Sequence, residues 1–144
     1  MWAQTPDSEK LKLWKQLRTQ IAQLDDHAKL DTVAQFFSKL PIGHRSIDYY
    51  TPRDWPTPWE MIYSGMTCPS AVSVLIYHTL SLCGFDARIK LYLIDDSYDT
   101  YLLPVIDDAV VLNYEPREVT QLDAIRGQIT ILKVFDQTEL TTIS

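Results

Sequence analysis

Gly65-Met66-Thr67-Cys68-Pro69-Ser70 runs directly into the apolar segment Ala71 to Leu82, and Gly84 follows two residues later. Thr67 or Cys68 stands where a helix N-cap belongs. Pro69 suits the first helical position, where its fixed φ fits and its missing N–H is not needed. Ala71, Val72, Val74, Leu75, Ile76, Leu80 and Leu82 make the segment apolar almost all round, which predicts a buried helix. Gly84 supplies a left-handed stop. A cysteine therefore opens the helix that the rest of the chain packs around.

Past Gly84 the hydrophobic period changes from helical to two. Ile89, Leu91 and Leu93 alternate with Arg88, Lys90 and Tyr92, as in a strand. Asp95-Asp96-Ser97-Tyr98-Asp99 reads as a turn. Tyr101, Leu103 and Val105 form a second strand, weakened or bulged at Pro104, which cannot donate to a ladder. Asp107-Asp108 is a hairpin signal, and Ala109 to Asn113 is a third strand. A short helix around Val119 to Arg126 and then Gly127 precede a last strand, Ile129 to Phe135, and residues 136–144 form a polar tail.

On the N-terminal side, residues 41–58 contain Pro41, Pro52, Pro56 and Pro58, which exclude long regular elements. Tyr49, Tyr50, Trp55 and Trp59 make this region unusually aromatic, either pinned across the core or presented to a partner. Pro58 suits the first position of a short helix from Trp59 to Tyr63. Before the loop, residues 8 to 25 read as a helix with Trp14, Leu17, Ile21 and Leu24 in one narrow stripe. Such a stripe fits packing on its own domain or docking on a partner subunit. Asp25-Asp26 interrupts the pattern. A second helix from about Leu30 to Leu40 follows, with Val33, Phe36, Phe37 and Leu40 on its apolar face and Pro41 and Gly43 at its end.

Helices first and an antiparallel meander after predict an α+β domain. Its expected form is one buried central helix on a sheet of about four strands, with residues 1–144 as a single domain. Its parts are a helical 1–40, the loop 41–58, a core 59–135 and the tail 136–144.

The chain is 144 residues long, 46% hydrophobic and 22% charged, within the globular range. Its net charge of −6 and scattered basic residues argue against a nucleic-acid partner, since that affinity rests on Lys and Arg neutralising phosphates. Cys68 and Cys83 lie on one predicted helix about four turns apart and cannot bridge each other within it, so both read as free thiols in a reducing compartment. No zinc-ligand spacing is present, and no metal or cofactor is expected. No apolar run reaches the ~18 residues of a membrane span, and the polar opening does not read as a signal peptide. The carboxylate pairs Asp25-Asp26, Asp95-Asp96 and Asp107-Asp108 fall at predicted turns, where aspartate serves the backbone.

A cysteine opening a buried helix, followed by antiparallel strands, resembles the transglutaminase-like branch of the papain-like superfamily. Cys83-Gly84-Phe85-Asp86-Ala87-Arg88 is similar to the glycine-x-x-alanine-arginine step ending that family's helix. Leu112-Asn113-Tyr114-Glu115-Pro116 resembles the leucine-aspartate-proline stretch closing its third strand. The resemblance covers about residues 58 to 116. It implies a thiolate nucleophile at Cys68, helped by the helix N-terminus, and an orienting amide at Asn113. The family's histidine position is taken by Thr100, and threonine is no general base near neutral pH. His27, His44 and His78 lie elsewhere, and only His44 sits in a loop able to approach Cys68.

The resemblance with its missing base favours a non-catalytic structural or interaction protein, a pseudoenzyme in which Cys68, Thr100 and Asn113 are remnants. Trp55-Pro56-Thr57-Pro58-Trp59 resembles a stretch in short products of tailed-phage structural genes. That likeness implies a virion component of the tail, baseplate or neck that contacts other protein subunits, or else a cytoplasmic protein. Trp14, Leu17, Ile21, Leu24, Tyr49, Tyr50, Trp55 and Trp59 are the expected contact residues. Two alternatives stay open. One is a cysteine acyl transferase or peptidase using Cys68. The other is a small-ligand binding module in the same cleft.

Overall fold

In the computed structural model, residues 7–38, 49, 52, 55, 68–115, 118–137 and 140 are described. Helix α1 spans Asp7–Ile21 and α2 spans Asp26–Phe37. The central helix α3 spans Pro69–Leu80 and continues into an irregular wide turn, Ser81–Phe85. Strands β1 (Ile89–Asp95), β2 (Thr100–Ile106), β3 (Val110–Leu112) and β4 (Val119–Gln121) follow. A one-turn helix α4 (Leu122–Ile125) precedes β5 (Thr130–Phe135). The architecture is α+β, with one five-stranded antiparallel sheet in the order β4-β3-β2-β1-β5.

The sheet has five strands where about four were expected. Val119–Gln121 is a strand, not the start of a helix, because its backbone pairs with β3 in the register Val110↔Gln121 to Leu112↔Val119. Only Leu122–Ile125 is helical. The first helix ends at Ile21, short of Asp25. The second begins at Asp26, ahead of Leu30, because Asp25 caps it: its carboxylate accepts the Ala28 N–H at 2.8 Å. The short helix expected over Trp59 to Tyr63 lies outside the described residues.

α3 lies on one face of the sheet. Ala71, Val72, Val74, Leu75, Ile76 and Leu80 share a core with Leu91, Leu93, Leu102, Ile106 and Phe135. α1 and α2 add Trp14, Leu17, Ile21, Leu30, Val33 and Phe37 to the same core. Trp14 is tied in twice, by burial at 2% exposure and by its indole N–H donating to Thr79 Oγ1 at 2.9 Å. The opposite sheet face carries a second apolar layer, Tyr92, Ile94, Leu103, Val105 and Val111, covered by Leu122 and Ile125.

The stripe Trp14, Leu17 and Ile21 is therefore buried within this chain, and Leu24 packs against the same core half-buried. These side chains face inward and do not form a surface offered to a partner. Trp55 is buried too, edge-on to Phe135 at 5.3 Å, which corrects its reading as a contact residue. Tyr50 and Trp59 lie outside the described residues.

Pro104 does not bulge β2; it pairs in register with Leu91. Backbone parity explains why. Asp107 N–H donates to Arg88 C=O, and Asp96 N–H donates to Asp99 C=O, so odd-numbered β2 residues face β1. The Pro104 nitrogen points away from β1, and β3 pairs only with Val105 and Ile106. No ladder donor is called for at that position.

Among the described residues, no helix is long and apolar enough to cross a membrane.

Candidate functional site

The site lies where the start of α3 meets the stretch of β2 that β3 does not cover. Cys68 is the N-cap of α3, with extended backbone (φ −102°, ψ 164°). Its sulfur accepts the Ala71 N–H at 3.4 Å, and its carbonyl accepts the Val72 N–H at 3.0 Å. The thiol thus does the work usually done by a serine or aspartate at such a position, satisfying one of the helix's unpaired donors. Cys68 is half-buried against the core, and neither cysteine is in a disulfide.

The even-numbered backbone groups of β2 point toward α3, and serines meet them. Ser70 Oγ accepts the Leu102 N–H at 3.2 Å, and Ser73 Oγ donates to the Leu102 carbonyl at 2.7 Å. Both serines are buried, at 3% and 0% exposure, so these bonds satisfy side chains and a strand edge that would otherwise be orphaned. Tyr49 continues the series. Its hydroxyl donates to the Thr100 carbonyl at 2.7 Å and receives a longer bond, 3.4 Å, from Ser70 Oγ.

Asn113 closes the site from the end of β3. It sits in the left-handed region at φ 65°, which asparagine tolerates better than most residues. That conformation ends the strand at Leu112. The side-chain amide donates to the Pro69 carbonyl and to Ser73 Oγ, both at 2.9 Å. Both amide hydrogens are therefore engaged on α3, at Pro69, next to Cys68 in the chain, and at Ser73. Among the described residues, the amide oxygen has no donor.

Thr100 opens β2. Its N–H donates to Asp99 Oδ1 at 2.8 Å, and its hydroxyl donates to Asp95 Oδ1 at 3.3 Å. Its polar groups are engaged within the β1–β2 hairpin or by Tyr49. The structure thus brings the neighbourhoods of Cys68, Thr100 and Asn113 together through Ser70, Ser73 and Tyr49. Sequence reasoning missed the two serines. The available signal was two small polar residues, three apart, on a helix otherwise apolar all round. Tyr49, expected from the sequence as an interaction residue of the loop, hydrogen-bonds within this network.

The histidines stand elsewhere. His78 lies ten residues along α3 from Cys68, about 15 Å by helical rise. It packs edge-on to Tyr77, and burial pushes its pKa down. His27 is exposed and pairs with Asp31 at 3.3 Å. His44 lies outside the described residues. Cys83 falls in the irregular turn after α3. Burial pushes its thiol up, against the opposing pull of Arg18 and Lys29. Among the described residues, no group of three His, Cys, Asp or Glu side chains is placed to hold a metal ion.

No family model matches the sequence, and no curated protein sequence matches it. Among solved structures, the chain is similar to calcium-bound LapG of Legionella pneumophila, with a TM-score of 0.78 at 16% identity over 92% of this chain and 77% of that one. A second LapG structure aligns with a TM-score of 0.77 at 15% identity, covering 90% of this chain and 74% of that one. The EGTA-treated form of the same protein gives the same values. At this identity the likeness shows the fold alone, an α+β arrangement of the transglutaminase-like kind shared with LapG.

Proposed function

We propose that this chain is a non-catalytic protein-interaction module built on the transglutaminase-like fold. The reading is carried by Thr100, which the transglutaminase-like resemblance puts at the position of the base. Its hydroxyl is engaged by Asp95, and it offers no group that takes a proton from a thiol near neutral pH. The rest of the site supports the same reading. Cys68 caps a helix, Asn113 ties β3 to that helix, and the serines hold the edge of β2. Cys68, the Asn113 amide nitrogen and the two serines each make a bond that serves the fold. We place the module in a tailed-phage particle, in the tail, baseplate or neck, on the resemblance carried by Trp55-Pro56-Thr57-Pro58-Trp59. Its partners in that setting are other protein subunits.

A second reading is a cysteine peptidase. The observations favouring it are the fold shared with LapG and the Asn113 amide oxygen, an acceptor of the kind that orients an imidazole. It needs His44, or a histidine from a partner, beside Cys68.

Alkylation of the native chain with iodoacetamide at mildly acidic pH separates the two. A nucleophilic cysteine is activated by a lowered pKa and reacts while ordinary thiols are protonated. The non-catalytic reading expects Cys68 to label no faster than a model thiol and His44→Ala to change nothing. Rapid labelling that His44→Ala abolishes would overturn it in favour of the peptidase.

A further inference from the structure

Charge is segregated along this molecule. α1 carries four of the thirteen basic residues and two of the nineteen acidic ones, so it is net positive within a chain of net charge −6. The outer surface of α1 also holds a shallow cavity of about 540 Å³, lined by Lys15, Arg18, Thr19, Ala22 and Gln23. The Arg18 guanidinium lies 4.4 Å over the Trp14 ring, and its buried Nε has no hydrogen-bond partner. Among the described residues, neither Lys15 nor Arg18 pairs with a carboxylate.

The β1–β2 hairpin tip has the opposite character. Asp95, Asp96 and Asp99 fall within five residues, and Tyr98 between them is 94% exposed. The tip is pre-shaped. Asp96 accepts the N–H groups of Tyr98 and Asp99 at 2.7 and 2.8 Å and the Tyr101 hydroxyl at 2.6 Å. Among the described residues, no lysine or arginine pairs with these three carboxylates. A rigid loop holding one aromatic ring outward among carboxylates complements a cationic cavity. Tyrosine is a favoured interface anchor, and Lys or Arg can pack on its ring while pairing with its acidic neighbours.

The two features lie at opposite ends of α3. The β2 end of the hairpin is fastened to the helix start through Ser70 and Tyr49. α1 is fastened near the helix end through Trp14 and Thr79, and Lys29 beyond it donates to the Cys83 carbonyl. Twelve helical residues, about 18 Å, separate those ends. One molecule cannot close the contact on itself.

We propose that the Tyr98 hairpin tip of one copy docks into the Lys15–Arg18 cavity of a second copy, giving head-to-tail self-association. The contact joins two different surfaces, so it extends into rings or filaments and does not stop at a symmetric dimer. The proposal adds a partner and a surface to the interaction reading above. Thiol labelling of Cys68 tests that reading independently.

The test is sedimentation velocity of the full chain over a concentration series at low and high salt. The mass should grow past that of a dimer at low salt and retreat at high salt, as screening predicts. Lys15→Glu and Tyr98→Ser alter exposed side chains, and thermal unfolding by circular dichroism confirms that both variants fold. Each alone should weaken association by on the order of tenfold or more. Mixed, they should form a heterodimer and nothing larger, because each keeps one working half. Carbodiimide treatment of the wild-type chain should also link Lys15 to a peptide containing Asp95, Asp96 or Asp99. A wild-type monomer at every concentration overturns the proposal. So does association that both variants leave intact, a mixture that yields no heterodimer, or a link between other surfaces.

Discussion

Asn113 donates to the Pro69 carbonyl and to Ser73 Oγ at 2.9 Å each, fastening the end of β3 to the first turn of α3. The bonds join residues 44 and 40 positions apart in the chain. Asn113→Ala should destabilise the fold by about 1–3 kcal/mol, because Ser73 is fully buried and loses a donor. Asn113→Gly removes the same bonds but relieves the left-handed backbone, so it should be more stable than Asn113→Ala by about 1 kcal/mol. Denaturant midpoints of the three chains check the order. Equal stability of all three would show that the amide does not fasten the strand.

Cys68 acts as an N-cap, and that role can be tested apart from any chemistry. Serine is a better capping residue than cysteine, so Cys68→Ser should leave the melting temperature unchanged or raise it. Cys68→Ala leaves the Ala71 N–H without its side-chain acceptor and should cost about 0.5–2 kcal/mol. Calorimetry on the two variants distinguishes a cap from a residue kept only for packing, for which alanine and serine would rank the other way.

Thr79 accepts from the Trp14 indole and donates to the Leu75 carbonyl at 2.8 Å. Thr79→Val keeps the shape but removes the hydroxyl that accepts from the buried indole N–H, with an expected loss of about 1–3 kcal/mol. Pairing it with Trp14→Phe in a double-mutant cycle should show less than the summed loss, because the donor of that bond is then absent as well. Strict additivity in urea denaturation would mean that the bond contributes nothing beyond packing.

Stability at alkaline pH should report the back face of the sheet. Burial first, and the hydrogen bond to Asp108 second, push Tyr92 up to about 12. Tyr101 is raised further, by burial and by its bond to Asp96. A phenol with a raised folded pKa contributes fully below its unfolded value of about 10. It loses the contribution as pH rises from there through about 12. Ultraviolet titration should show these two phenols ionising late in the native chain, and Tyr92→Phe should make the alkaline decline of stability shallower. An unchanged decline would count against the Tyr92 assignment.

The acid limb has the opposite sign. Arg88 holds Asp107 below the usual carboxylate range, and Tyr92 and then Lys90 do the same for Asp108. Their contributions are present above about pH 3.9 and disappear as pH falls through the lower folded values. Both carboxylates are about half exposed (48% and 52%), so solvent screening keeps each contribution small. Asp107→Asn should flatten the acid limb of the stability curve between mildly acidic and strongly acidic pH, as followed by circular dichroism.

The sequence by itself determined whatever depends on neighbours along the chain. The apolar run from Ala71 dictates a buried helix, Pro69 and Cys68 mark its start, and Gly84 ends it at φ 98°. Alternation after Arg88 dictates strands, and Asp107 and Asp108 at φ 55° and 53° make the turn between β2 and β3. Tertiary structure decided which way amphipathic surfaces face. A stripe such as Trp14-Leu17-Ile21 has the same period whether it meets its own core or a partner, and only the packing of α1 on α3 settled it. The β4 strand was illegible for a similar reason: three residues acquire strand structure from the β3 backbone beside them. Ser70, Ser73 and Tyr49 became a network because β2 extends past β3 and leaves backbone groups that need partners. That need arises only once the sheet exists, so no reading of local spacing could have supplied it.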